Sequence, residues 1–218
     1  MRLETHVIPD EFTEKVSFAF DYTFDGKSYF DLPSFEKPKE DFHLGAIVGS
    51  SGSGKSQLLK HIFSYTEPSV EWNPQKAIVS HFETPDIALE KLFASGISSI
   101  PTLCKPYHVL SNGEKYRAYV ARVMGDGCII DEFTSVVNRE TAKSLSVSLS
   151  KYIRKKDLKN IIISSCHRDI LDWLEPDWVI NTDSGEFMDG FFLSDQKSLS
   201  KYIAQQLMAG ECLKTITI

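Results

Sequence analysis

The 218-residue sequence predicts an α/β fold: a mixed central sheet, an N-terminal antiparallel β-subdomain and a shortened helical region. Three observations predict it. Apolar runs at Leu44–Val48, Cys128–Phe133 and Ile161–His167 are nearly continuous, as strands buried on both faces require. A glycine-rich octapeptide, Gly49-Ser-Ser-Gly-Ser-Gly-Lys-Ser56, follows the first run and opens a helical stretch. The first 40 residues alternate aromatic and polar groups, the period of a half-buried strand.

Taken in order, residues 1–43 read mainly as antiparallel β-structure. Within them Val16–Phe24 has period two, and Asp25-Gly26 is a hairpin-turn signal. Lys37–Asp41 is a polar connector. Residues 44–80 and 125–190 form the core: the strand Leu44–Val48, the helix Gln57–Phe63, and apolar segments near Val70–Trp72 and Ala77–Ser80. Residues 81–124 are a short helical region, with an amphipathic helix over Pro85–Phe93, a loop with prolines over Gly96–Tyr107, and a helix over Lys115–Met124. The strand Cys128–Phe133 ends in two adjacent carboxylates, Thr134–Asn138 leads into a helix, and Ile161–Ser165 runs to His167. Residues 191–218 form a tail with a helix from Ser194 to Ala209, punctuated by glycines. The whole is expected to be one domain, 1–218.

The octapeptide fits the pattern G-x-x-x-x-G-K-[ST], which average residue frequencies produce by chance in about one chain in a hundred of this length. Its setting between strand and helix gives it physical meaning. Glycines 49, 52 and 54 let successive N–H groups converge on phosphate oxygens, and the helix N-terminus adds unpaired amides and a positive dipole end. Gly49, Ser50, Ser51, Gly52, Ser53, Gly54, Lys55, Ser56 and Gln57 are thus the candidate nucleotide-binding residues. Lys55 is expected to reach the β- and γ-phosphates, and Ser56 to ligate Mg²⁺.

Composition narrows the class. Hydrophobic content of 42% and charged content of 25% are those of an ordinary globular chain. No run approaches the length needed to cross a bilayer, and the N-terminus lacks the apolar core of a signal peptide. Four cysteines without a C-x-x-C pair read as reduced residues, with Cys128 and Cys166 as small core side chains. Together these place the protein in the cytoplasm. The net charge of −6 argues against nonspecific coating of nucleic acid without excluding a local basic patch. Arg154–Lys156 with Lys159 reads as a solvated helix end.

The ordered set of motifs resembles one family, the ABC-type ATPases, over about residues 44 to 181. Its members present a phosphate loop, an LSGGQ-like signature, an Asp-Glu strand, a D-loop and a switch histidine. This chain presents Gly49–Ser56, Leu110-Ser-Asn-Gly-Glu114, Asp131-Glu132, Asn138 and His167 in that order. The stretch Asp131–Asn138 with Cys166-His167 and Asp172–Trp178 further resembles stand-alone members associated with a predicted GNAT-like acetyltransferase. The resemblance implies that Ser56 and Asp131 hold Mg²⁺, Glu132 is the general base, and His167 senses the γ-phosphate. It also implies that Ser111, Asn112, Gly113 and Glu114 complete the site of a second copy, so that ATP joins a head-to-tail homodimer. Tyr22 or Tyr29 would stack on adenine, or simply pack within the sheet.

Departures from the family pattern qualify these roles. Asn112 and Glu114 replace a glycine and a glutamine of the signature, Gln57 follows the phosphate-loop serine, and Asn138 stands for the D-loop aspartate. His81 occupies about the place of the Q-loop glutamine. The region before the signature is about half the usual length, so a membrane partner is not expected. The expected activity is slow ATP hydrolysis that switches a separate protein. The alternatives are the ATP-binding subunit of a transporter and a nucleotide-gated binding module with negligible turnover.

Overall fold

A computed structural model describes residues 2–32, 35, 38 and 41–190. The chain divides into two compact units, Met1–Glu36 and Lys37–Ile218. The predicted C-terminal helix lies outside the described residues.

In the first unit β1 (Arg2–His6) pairs antiparallel with β2 (Lys27–Asp31), setting Arg2 opposite Asp31 and His6 opposite Lys27. The Arg2 guanidinium closes the far end of this ladder on the Asp31 carboxylate at 2.8 and 2.9 Å. The strand expected over Val16–Phe24 is not formed: Val16–Ala19 close a helix, α1 (Glu11–Ala19), and a turn follows at Phe20 and Asp21. Local capping accounts for the difference. The Asp10 carboxylate accepts the Thr13 N–H at 2.9 Å while the Thr13 hydroxyl accepts the Asp10 N–H at 2.8 Å, which settles the costly first turn. No residue of α1 is buried, so its aromatic alternation never meets a sheet face. The antiparallel sheet exists, but other residues build it.

The second unit holds a five-stranded sheet in the order β4-β5-β3-β6-β7. β3 (Leu44–Val48) lies between β5 (Ile161–Ser165) and β6 (Trp178–Asn181), parallel to both. β4 (Ile129–Ile130) is parallel to β5, and β7 (Glu186–Asp189) runs antiparallel to β6. Every residue of β3, β5 and β6 is buried, which explains their largely apolar sequences; the polar exceptions, Ser164, Ser165 and Asn181, fall at the carboxyl ends of β5 and β6. Of the run Cys128–Phe133 only two residues pair as strand. Cys128 is buried enough to push its thiol up to about 11, whereas Cys166, expected in the core, stands one residue past β5 and is exposed.

Helices cover this sheet. α2 (Lys55–Ile62) leaves the glycine-rich loop. α5 (Asn112–Val123), α6 (Arg139–Lys155) and α7 (Leu171–Leu174) bury Val120, Leu145, Leu149, Ile153 and Leu174 against Ile130, Ile161 and Ile163. A smaller core gathers Ile78, Leu92, Leu103 and Ala118. It lies among α3 (Pro85–Ala94), α5 and the short α4 (Ile100–Leu103), a helical turn within the segment read as loop. Trp72 stacks on Tyr107 at 4.5 Å beside this core. The basic cluster at the end of α6 is indeed a helix end, and acidic groups meet it: Arg154 faces Asp177 at 3.3 Å and Lys156 meets Glu90 at 2.6 Å.

Candidate nucleotide-binding site

The carboxyl ends of three neighbouring parallel strands carry the sequence motifs. β3 delivers residues 49–56, β5 delivers His167, and β4 delivers Asp131 and Glu132. Ligands of open α/β sheets sit at such strand ends.

The loop is built around tight backbone. Gly54 caps α2 at φ 91°, a left-handed conformation that glycine adopts without cost. At Gly49 a Cβ would lie 2.0 Å from the Thr182 hydroxyl oxygen and 2.7 Å from that of Ser53. Lys55 is buried, and its ammonium donates to the carbonyls of Gly49 at 2.9 Å and Ser50 at 2.7 Å. A buried cation is thereby satisfied by the loop it serves. Ser56 lies in the first turn of α2, and Gln57 beside it is exposed.

Across the sheet the acidic pair is held in place by β5. The Ser164 hydroxyl donates to Asp131 Oδ1, and the Glu132 N–H donates to the same oxygen at 2.9 Å and to the Ser164 hydroxyl at 3.1 Å. Glu132 adopts φ 52° and Thr134 φ 71°. Left-handed backbone at a β-branched residue is costly and is concentrated where function fixes the chain. The strand has ended at Ile130, so the two acidic residues stand where the chain turns. His167, half-buried, stands 3.3 Å from the Thr134 hydroxyl through Nδ1, and its N–H donates to the Ser165 hydroxyl at 3.1 Å.

Ser111 is the N-cap of α5, and Glu114 reaches back to it. The carboxylate accepts the Ser111 N–H at 2.9 Å and its hydroxyl at 2.8 Å, with Thr102 donating at 3.2 Å. The backbone N–H of Ser111, then its hydroxyl, hold the Glu114 carboxyl below the usual glutamate range. Asn112 follows at the first helical position, with Gly113 next.

A cavity of about 940 Å³ joins Ser56 and the acidic pair to the start of α5 within one chain, whereas Lys55, Ser111, Glu114 and His167 are not among its lining residues. Ser56, Asp131 and Glu132 form one part of its lining, and Asn112, Lys115 and Tyr119 another. Burial raises the Tyr119 hydroxyl above its ordinary range.

Other sequence candidates have structural duties. His81 accepts the Asn73 N–H at Nε2 (2.9 Å), and its Nδ1 lies 2.9 Å from the Ala77 carbonyl. Both ring nitrogens are thus engaged within its own segment, beside the Trp72 ring at 4.9 Å. Asn138 caps α6, accepting the Thr141 N–H at 2.9 Å. Tyr22 and Tyr29, in the N-terminal unit, are 60% and 49% exposed, and the Arg2 guanidinium lies 5.5 Å over the Tyr29 ring.

Sequence reading overlooked the β6–β7 turn. Thr182 donates its N–H to Val48 at 2.9 Å and shares a 2.6 Å hydrogen bond with the Ser53 hydroxyl. Asp183 accepts the N–H and the hydroxyl of Ser50. No local pattern marks these residues; only the pairing of β6 with β3 brings them to the loop.

No protein-family model matches the chain, and no curated protein matches it. Solved structures do. The post-hydrolysis structure of the ATP-binding cassette MJ0796 bound to ADP and Pi shares 15% identity at TM-score 0.53, covering 78% of this chain and 95% of that one. CbiO1 from Clostridium perfringens, part of the ABC transporter complex cbiONQ, shares 18% at TM-score 0.51, covering 78% and 86%. The chain has an α/β fold resembling the ABC ATPase cassette, a mixed central sheet accompanied by an N-terminal two-stranded antiparallel sheet.

Proposed function

We propose that this protein binds and hydrolyses ATP. The observation that carries the reading is the meeting of Ser56, Asp131 and Glu132 in one cavity beside the Lys55 loop. The loop amides and the N-terminus of α2 take the phosphates, with Lys55 neutralising the β,γ region. Glu132 accepts a proton from water as the water oxygen bonds the γ-phosphorus and the bond to the bridging oxygen of ADP breaks, giving ADP and phosphate. His167 donates to a γ-phosphate oxygen.

Mg²⁺ fits this donor set. Among the described residues no three His, Cys, Asp or Glu side chains cluster as a metal cage. A hydroxyl and one carboxylate, Ser56 and Asp131, suit an ion that takes its other ligands from water and phosphate. When bound it neutralises phosphate charge.

The resemblance of the signature supports a head-to-tail homodimer closed by ATP, with Ser111, Asn112, Gly113 and Glu114 meeting the partner's γ-phosphate. That dimer would act as a switch on a separate protein, for which the sequence resemblance points to a GNAT-like acetyltransferase. Among the described residues no helix is long and apolar enough to cross a membrane. The capture of Ser111 by Glu114 favours a second reading, a nucleotide-gated module with negligible turnover. Steady-state phosphate release with Mg²⁺-ATP, measured alongside oligomeric size, tests both. Turnover lost in Glu132→Gln supports the ATPase; binding without turnover in wild type supports the module.

A further inference from the structure

A continuous set of contacts runs from the histidine strand to the phosphate loop. Arg168, the residue after His167, donates to Asp183 Oδ2 at 3.0 Å and to Asn181 Oδ1 at 3.1 Å. Asn181 is buried and also accepts the Asp183 N–H at 3.1 Å, which fixes the turn. The Asp183 carboxylate then takes the Ser50 N–H at 3.0 and 2.9 Å and the Ser50 hydroxyl at 2.7 Å. On its other side, Ser50 gives its carbonyl to the Lys55 ammonium at 2.7 Å. Ser50 is thus held from outside the loop by an anion and from inside by a cation.

We propose that the Arg168–Asp183 pair positions Ser50 and couples it to His167, making the loop favour a triphosphate over a diphosphate. This rests on the nucleotide reading above, in which His167 and Lys55 both meet the γ-phosphate. Those two residues stand at opposite ends of the chain of contacts, so a shift at either is felt at Ser50. Stability is not the purpose of the pair. Its side chains are 33% and 32% exposed, and ion pairs so exposed add little to folding. The Ser50 amide, spent on Asp183, is also withdrawn from phosphate binding, so Asp183 acts as a positioning residue.

The test measures ATP and ADP affinities of the full chain with Mg²⁺, for wild type, Arg168→Gln, Asp183→Asn, the double variant and Arg168→Lys. Each single loss should lower the ATP-to-ADP preference by about fivefold or more. The double variant should be no worse than the more damaging single, and Arg168→Lys should recover most of the preference. Equal weakening of ATP and ADP, or an unchanged preference, overturns the coupling. The Ser50 amide resonance, followed without nucleotide, reads the contacts directly. It should move and lose exchange protection in both single variants, and an unmoved resonance overturns the hold on Ser50. Should wild type bind neither nucleotide, the nucleotide reading and the triphosphate preference fail together, while the amide still decides the contact.

Discussion

The Ser111 hydroxyl donates to the Glu114 carboxylate at 2.8 Å, so the signature serine is tied to the residue that departs from the signature glutamine. A carboxylate placed beside the position expected for a partner's γ-phosphate repels that phosphate. Glutamine would keep the reciprocal cap without the charge. Glu114→Gln is therefore expected to strengthen the ATP-dependent dimer several-fold, read by light scattering across protein concentration. Ser111→Ala should weaken the same dimer and cost about 1 kcal/mol of stability through the lost cap. A dimer indifferent to both removes the signature from the interface.

Lys55→Ala should weaken ATP binding by roughly 10- to 100-fold, since hydrogen bonds to charged groups contribute about 1.5–3 kcal/mol. Titration calorimetry checks it. Unchanged affinity would sink the phosphate-loop assignment.

Replacing Glu132 with glutamine should leave ATP affinity near wild type and cut turnover by about 10²–10⁴-fold, the range of general acid–base catalysis. The variant should also accumulate as dimer in ATP. Persisting turnover would place the base elsewhere.

Gly49→Ala would drive a methyl group to 2.0 Å from Thr182 Oγ1. Overpacking of this kind costs about 1–3 kcal/mol, so the melting temperature and ATP affinity should fall together. Because the clash is with one side chain, Thr182→Ala in the same chain should restore part of both, as coupled neighbours do. Additive losses would show that the loop fails for another reason.

Acid should loosen the site at two carboxylates. Glu114 is held below its ordinary range by the Ser111 N–H and hydroxyl. At Asp183 burial pushes upward, but the Ser50 donors and Arg168 outweigh it and the carboxyl is lowered. A depressed folded value means that the unfolded chain binds protons first as pH falls. The contributions are present above the ordinary carboxylate range and are lost as pH drops through the folded values. Wild type should thus lose stability in that acid window, and Asp183→Asn with Glu114→Gln should flatten the loss. An equal acid slope in the variant would assign the lability to other carboxylates.

The sequence by itself determined the strands that carry the site, because Leu44–Val48 and Ile161–Ile163 are buried on both faces and so read as apolar runs. It also marked the glycine-rich loop between β3 and α2, whose left-handed turns at Gly52 and Gly54 are local. Capping is equally local, yet at Asp10 and Thr13 it drew the start of an alternating segment, Val16–Ala19, into helix, because a satisfied first turn outweighs a period that meets no partner. Tertiary structure alone decided which side chains serve the loop. Ser164 meets Asp131 from 33 positions away, and Asp183 meets Ser50 from 133. Such contacts follow from strand order, since parallel neighbours bring their carboxyl ends together whatever their separation along the chain.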